Sequence, residues 1–408
     1  MISFEFATAN KILFGAEKLN ELGRQIGERA KRLLLVRGGS SEALTHVEQI
    51  LSKSGIPFTE FEVHGEPTIA MVRAGIEVAQ GCDMVIGLGG GSVLDTGKAI
   101  AALVTNPGDV LDYLEVIGKG QPLVNAPLPY IAIPTTAGTG SEVTRNAVLE
   151  STEQNVKVSL RSPWMLPRLA LVDPELTYSL PAEITASSGP DALTQLIEPF
   201  VSVKANPMTD AICREGLHYA SRSLRRAYEN GADLDERTLS RTHGLETDSR
   251  VAHKSNVDKA AREGMSLASL FGGLALANAA LGAAHGFAGP LGGMLHAPHG
   301  ALCARFLPLV MEANIQALQT RQPEHPALER YVEIAEILTG AKVTTALEGA
   351  KWVSELVRDL KIPRLSTYGM SEEKFPEAVV KTQKANSFKG NPIALKEEEL
   401  RKILEQAL

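Results

Sequence analysis

The chain has 408 residues, enough for two or three domains with their own cores. Hydrophobic residues at 44% and charged residues at 22% exclude wholesale disorder and fibrous structure. Against 41 Lys and Arg stand 48 Asp and Glu, and a net charge of −7 argues against a dedicated nucleic-acid binder.

Residues 1–15 show no basic stretch followed by an apolar run, so no secretory signal is expected. From there to about residue 180, short β-like runs alternate with helical patterns. Leu33–Val36 ends at Gly38-Gly39-Ser40, and Phe58–Val63 partly alternates. Met84–Leu88 runs into glycines, Tyr130–Ile133 into Pro134, and Leu169–Val172 into Asp173-Pro174. Helical patterns cover 45–54, 70–80 and 94–104. This alternation predicts parallel βαβ units, with a ligand crevice beyond the carboxyl ends of the strands.

After residue 180 strand signals fade. Helical patterns follow at 190–203, 208–228, 257–285, 300–320, 326–339, 343–360, 371–386 and 396–407. The prediction is an α/β domain over 1–179 and an all-helical domain over 180–408. The longest apolar stretch, Leu267–Ala284, holds Ser, Gly and Asn; it reads as one buried core helix, and no membrane association is expected. Asp233–Lys259 is polar and densely charged, a surface loop or short solvated helix. Cys82, Cys213 and Cys303 are far apart and odd in number, so they read as reduced core residues of a cytoplasmic protein.

Three turns point to a dinucleotide. Gly89-Gly90-Gly91-Ser92 follows a strand and opens a helix, where glycines admit a phosphate close to free backbone N–H groups. The hydroxyl-rich turn Thr135-Thr136-Ala137-Gly138-Thr139-Gly140-Ser141-Glu142 also follows a strand and can bond ribose or phosphate without adding charge. At Arg37-Gly38-Gly39-Ser40 no acid stands ready for a ribose 2′-hydroxyl; Ser40 and the Arg37 charge favour NADP, with NAD possible.

A metal constellation emerges further on. Gly189-Pro190 reads as a helix start, and Asp191 and Gln195, i and i+4, share a face. His285 reads as ending a buried helix, followed by a glycine-rich turn and a new helix at His299, with His296 between. Asp and two His suit Fe(II) or Zn(II) with positions open for a substrate oxygen.

Together these residues resemble the iron-containing (group III) alcohol dehydrogenases. The resemblance is carried by Ile12–Gly15, Gly89–Ser92 with Asp95 and Lys98, Pro134–Thr144, Asp173–Leu176 and Asn391-Pro392. It implies a dehydroquinate synthase-like nucleotide domain followed by a helical domain. It also implies a homodimer that oxidises small alcohols or reduces aldehydes with NAD(P). Gly38, Gly39, Ser40, Gly90, Gly91, Ser92, Asp95, Thr135, Thr136, Thr139, Thr144, Lys157 and Leu176 would line the cofactor. Lys157 would reach the nicotinamide side as a catalytic group with Asp191, His285 and His299. The family binds its metal through one Asp and three His; here Asp191, His285 and His299 match, and Gln195 replaces the first His. A further family histidine is Gly289. Two alternatives remain open at this point: a metal-independent maleylacetate reductase-like enzyme, and a nucleotide-binding protein that has lost catalysis.

Overall fold

The structure, a computed structural model, describes residues 3–27, 30–154, 156–241 and 257–408, with backbone alone over 234–241. It divides into two compact units, Ala7–Thr177 and a second of Tyr178–Leu408 joined by the N-terminal stretch to Phe6.

The first unit runs β1 (Ile12–Phe14), α1 (Leu22–Ile26), β2 (Leu33–Arg37), α2 (Glu42–Ser54), β3 (Phe58–Glu62), α3 (Ile69–Val78), β4 (Met84–Gly89), α4 (Gly91–Leu103), α5 (Val110–Tyr113), β5 (Tyr130–Pro134), β6 (Asn146–Ser151), β7 (Val156–Arg161) and β8 (Leu169–Val172). Six strands make an all-parallel sheet in the order β1-β8-β5-β4-β2-β3. Strands β6 and β7 form a separate antiparallel hairpin, absent from the predicted strands. Both sheet faces are covered: along β2, Leu34 and Val36 enter one apolar cluster and Leu33 and Leu35 the other. Helix α2 starts three residues earlier than the apolar pattern predicts. The Ser41 hydroxyl accepts from Leu44 N at 3.1 Å and caps the helix there.

The chain places β3 on one side of β2 and β4 on the other, so the strand order reverses between β2 and β4. That reversal opens a crevice beyond the strand ends, where ligands bind in such sheets. Gly87 of β4 is held to a bare Cα, since a Cβ there would stand 2.2 Å from the Tyr130 hydroxyl.

The second unit is α6 (Ala182–Val201), α7 (Pro207–Arg241), α8 (Lys259–Asn278), α9 (Ala283–Leu295), α10 (His299–Arg321), α11 (Ala327–Thr339), α12 (Leu347–Asp359), α13 (Phe375–Lys384) and α14 (Glu397–Ala407), with no strand among the described residues. Helix α6 is buried at every position from Gly189 to Val201 and packs on α7, α8 and α10. Helix α10 is apolar and long enough to cross a membrane by composition, but most of it is buried inside this unit.

Three expectations are corrected here. Helix α6 begins at Ala182, not at Gly189-Pro190; the Ser187 and Ser188 hydroxyls already donate back to Ile184 O, and burial on several sides outweighs the hydrogen bond each internal proline removes. Gly189 serves packing, since a Cβ would meet Leu224 Cδ1 at 2.2 Å. The predicted helix 257–285 breaks after Asn278, and α9 leaves α8 at a bend of 96°. The break is stabilised because side chains supply acceptors for the first N–H groups of α9. His285 therefore lies in the first turn of α9 rather than at the end of the preceding helix, and the glycine-rich turn expected after it is helical. Of the polar 233–259 segment, residues 242–256 lie outside the described residues; the rest extends α7 and opens α8.

Buried charge fastens the first unit. Lys98 of α4 is 1% exposed and its Nζ donates to Ser141 O (2.8 Å), Ser141 Oγ (2.9 Å), Thr144 Oγ1 (3.0 Å) and Asn146 O (2.8 Å). Burial pulls its pKa below the usual lysine range, against the opposing fields of Asp95 and Glu142. Beside it, burial pushes the Glu142 carboxyl from 4.5 to about 7 although Lys98 opposes this. The folded state thus prefers protonated Glu142; that preference is fully present below pH 4.5 and lost as pH rises through about 7. Glu142→Gln stays neutral and should remove this part of the pH dependence. Urea denaturation on either side of that window should show wild-type stability falling more steeply than that of the variant; parallel curves would count against it.

Candidate dinucleotide and metal centres

The three turns lie side by side at the strand ends. Gly38 N donates to Leu88 O at 3.3 Å and Thr135 N to Gly89 O at 3.0 Å. Gly91 opens α4 beneath the hydroxyl-rich turn; a Cβ there would stand 2.6 Å from Thr139 Cγ2, and one at Gly90 would stand 3.2 Å from Thr136 Cγ2. Gly38, Gly39, Ser40, Gly90, Gly91, Ser92, Thr135, Thr136 and Thr139 are therefore brought to one edge of the sheet, with the N–H groups and dipole of α4 among them.

The other predicted cofactor residues stand differently. Asp95 accepts from Ser141 Oγ (2.5 Å) and Val148 N (2.9 Å), and Thr144 accepts from Lys98, so both hold the scaffold of these turns. Lys157 of β7 pairs with Glu66 at 3.1 Å. Leu176, in the short turn Pro174–Thr177, packs on the apolar cluster at one sheet face. Arg37 is held by Glu60 at 2.6 Å and Glu62 at 2.9 Å, which balances the positive charge expected to favour a 2′-phosphate.

In the helical unit, Asp191, Gln195 and Glu198 occur at i, i+4 and i+7, one face of α6. Glu198 Oε1 accepts from Ala284 N at 2.7 Å, while Asn391 Oδ1 accepts from Ala283 N at 3.1 Å, so the first turn of α9 is capped from outside. Glu198 Oε2 stands 2.7 Å from His285 Nδ1. This fixes the ring so that Nε2 faces Asp191 Oδ1, at 3.3 Å. That approach lacks hydrogen-bond alignment, and Asp191 Oδ1 is a buried oxygen without a hydrogen-bond donor, as is Gln195 Oε1. His299 begins α10, and Gly300 lets that helix start against α6: a Cβ there would lie 1.9 Å from Ser187 O. One turn on, Cys303 Sγ stands 3.6 Å from His299 Nε2. One ligand atom from each of Asp191, His285, His299 and Cys303 lies within 4.8 Å of all the others.

The sequence reading brought together three of these four and missed Cys303 and Glu198. Both were discoverable from helical spacing, at i+4 from His299 and i+7 from Asp191. His296 takes no part in this group, and Gly289 lies one turn beyond His285 with open space where a Cβ would stand. Burial alone would raise Asp191, but the neighbouring His285 and His299 imidazoles outweigh it and the carboxyl stays below its usual range. Burial opposes a charge on His285, yet Cys303, Asp191 and Glu198 hold it well above the usual histidine range. Burial pushes the Cys303 thiol up to about 12.

Known proteins share both units. Residues 9–174 match the family model for iron-containing alcohol dehydrogenase, and residues 185–241 and 246–408 match the C-terminal model of the Fe-containing alcohol dehydrogenase family. Choline dehydrogenase of Bacillus subtilis (strain 168) is 33% identical over 407 residues, covering 97% of this chain and 92% of its own. The crystal structure of 1,3-propanediol oxidoreductase superposes with a TM-score of 0.84 at 32% identity, over 100% of both chains. Sulfoacetaldehyde reductase from Bifidobacterium kashiwanohense, in complex with NAD+, superposes with a TM-score of 0.81 at 25% identity, over 100% of this chain and 99% of that one.

The Glu198 geometry carries a stability prediction. Glu198→Ala leaves Ala284 N and the His285 ring N–H without their buried acceptor and should cost about 3–5 kcal/mol in urea denaturation. Glu198→Gln retains an oxygen for one of them and should cost less. Equal losses would show that the acceptor is not what holds the break before α9.

Proposed function

The chain belongs to the iron-containing alcohol dehydrogenase family, and within it we propose a metal-assisted, nicotinamide-dependent interconversion of a small alcohol with its aldehyde or ketone, NADP being preferred. The observation that carries the reading is the convergence of Asp191, His285 and His299 around an Asp191 oxygen that no donor satisfies. A carboxylate and two imidazoles at ligand spacing, one imidazole oriented by a second carboxylate, are a donor set for Fe(II) or Zn(II). Those three side chains would hold the ion, with the Gln195 carbonyl on the same face of α6. When bound, the ion supplies Lewis-acid polarisation of a substrate oxygen, and the nicotinamide supplies or accepts hydride.

The chain's own contributions follow from its geometry. The start of α4 and the Thr135–Thr139 hydroxyls bind the pyrophosphate without a cationic side chain. Glu198 holds the Nδ1 proton of His285, so Nε2 is the atom from which an ion would displace the second proton on ligation. Gly289 offers no side chain to move a proton, so the substrate proton would leave through water or the ribose hydroxyls. NADP preference rests on the absence of a carboxylate at Gly38-Gly39-Ser40.

Two outcomes are expected. NADPH oxidation with a panel of small aldehydes should fall about a hundredfold or more on chelation and return with Zn(II) or Fe(II), as the loss of several kcal/mol of Lewis-acid stabilisation requires. Unchanged turnover after chelation would favour a metal-independent reductase. Gly39→Asp should lower kcat/KM for NADPH relative to NADH about tenfold or more, because a carboxylate beside the phosphate costs several kcal/mol. An unchanged ratio would place the 2′ position elsewhere.

A further inference from the structure

One member of the buried group has no counterpart among the expected ligands. Cys303 lies one helical turn after His299, fully buried, 3.6 Å from His299 Nε2 and within 4.8 Å of the ligand atoms of Asp191 and His285. Gln195, where an imidazole was expected, lies against Gly272 of α8: a Cβ there would stand 3.1 Å from Gln195 Cβ and 3.3 Å from its Oε1. The side chain is packed closely against α8, and a residue larger than glycine at 272 would press on Gln195 and on Ala192 O.

Two of the six separations among these donor atoms have the values a metal would impose, within a group that spans up to 4.8 Å. Zinc bonds are about 2.0–2.1 Å to nitrogen or oxygen and about 2.3 Å to sulfur. Two tetrahedral donors then stand about 3.3 Å apart when both are nitrogen or oxygen, and about 3.6 Å apart when one is sulfur. The observed separations are 3.3 Å for His285 Nε2 and Asp191 Oδ1 and 3.6 Å for His299 Nε2 and Cys303 Sγ.

We propose that Cys303 is the fourth protein ligand of the metal, its thiolate taking the place of the imidazole that Gln195 does not provide. The inference rests on the reading of Asp191, His285 and His299 as metal ligands. A thiolate in an oxygen and nitrogen set is softer than three imidazoles with a carboxylate, so this centre should select Zn(II) over Fe(II). Substrate oxygen would then enter as a fifth donor.

The test is X-ray absorption at the zinc edge on the full chain loaded with zinc, with metal content measured by mass spectrometry. The expected result is a sulfur shell at about 2.3 Å. Cys303→Ser should lose that shell and bind zinc about tenfold or more weakly. The chain has 3 cysteines, so Cys82→Ala with Cys213→Ala leaves Cys303 as the sole sulfur of that type. A sulfur shell kept by that double variant assigns the ligand even if Cys303→Ser does not fold. Zinc bound through nitrogen and oxygen alone would overturn the Cys303 ligand and leave the metal centre standing. A chain that binds no zinc, cobalt or iron would overturn both.

Discussion

A carboxylate shut inside a helical unit must find donors, and Glu198 finds two that decide the local fold. By accepting from Ala284 N and His285 Nδ1 it both starts α9 and orients an imidazole. The chain can leave α8 after Asn278 because the first N–H groups of α9 have acceptors waiting. Asn391 completes the arrangement: its Oδ1 accepts from Ala283 N and from Asn314 Nδ2 (3.0 Å), while its Nδ2 donates to Asn314 Oδ1 (2.6 Å) and Ile393 O (2.7 Å). A polar network therefore ties the start of α9 to α10 and to the 391–393 segment. Such a network specifies one arrangement, because a half-satisfied version of it is costly.

The first unit solves a similar problem with the opposite sign. Lys98 is a buried cation that gathers Ser141, Thr144 and Asn146 from beyond β5, fixing a segment that has little regular structure of its own. The glycines around it are consequences of that compression. Gly91 and Gly90 lie under threonines, and Gly87 lies under a tyrosine whose hydroxyl donates to Leu94 O at 3.0 Å. The edge proposed to take the pyrophosphate is thus built from backbone, and the acidic balance of the chain would not oppose it. Arg37, the one cation read from sequence as a phosphate partner, is already engaged by two glutamates of β3.

The sequence was legible where a local rule controls the outcome. Strands ending in glycine or proline, and the change to helical periodicity near residue 180, follow from patterns within a few residues. It failed where long-range contacts overrule such rules. Gly189-Pro190 has the composition of a helix start, yet helix α6 runs on through it because every position from Gly189 to Val201 is buried. Leu267–Ala284 has the periodicity of one helix, yet Glu198 and Asn391, distant in sequence, divide it. The β6–β7 hairpin went unread although Val156–Arg161 alternates apolar and polar residues; its ties to α4 through Asp95 and Lys98 fix its place. Cys303 was legible only in combination with His299, since a cysteine alone in an apolar helix looks like core.

Ligand sets are assembled in space, so a substitution at one ligand position has to be weighed against what the neighbouring helix offers. Losing an imidazole at 195 and gaining a thiol at 303 changes the charge of the centre as well as its softness. One carboxylate and three imidazoles would leave a divalent ion with a net positive charge in a buried place. A carboxylate and a thiolate would neutralise it, and neutrality would lower the burial penalty. The same neutrality weakens the pull on a substrate oxygen. A centre so built would hold its metal by donor strength and rely more on placement of the nicotinamide than on electrophilicity. The carboxylate of Glu198 strengthens this tendency, because it makes His285 a better donor to whatever Asp191 faces.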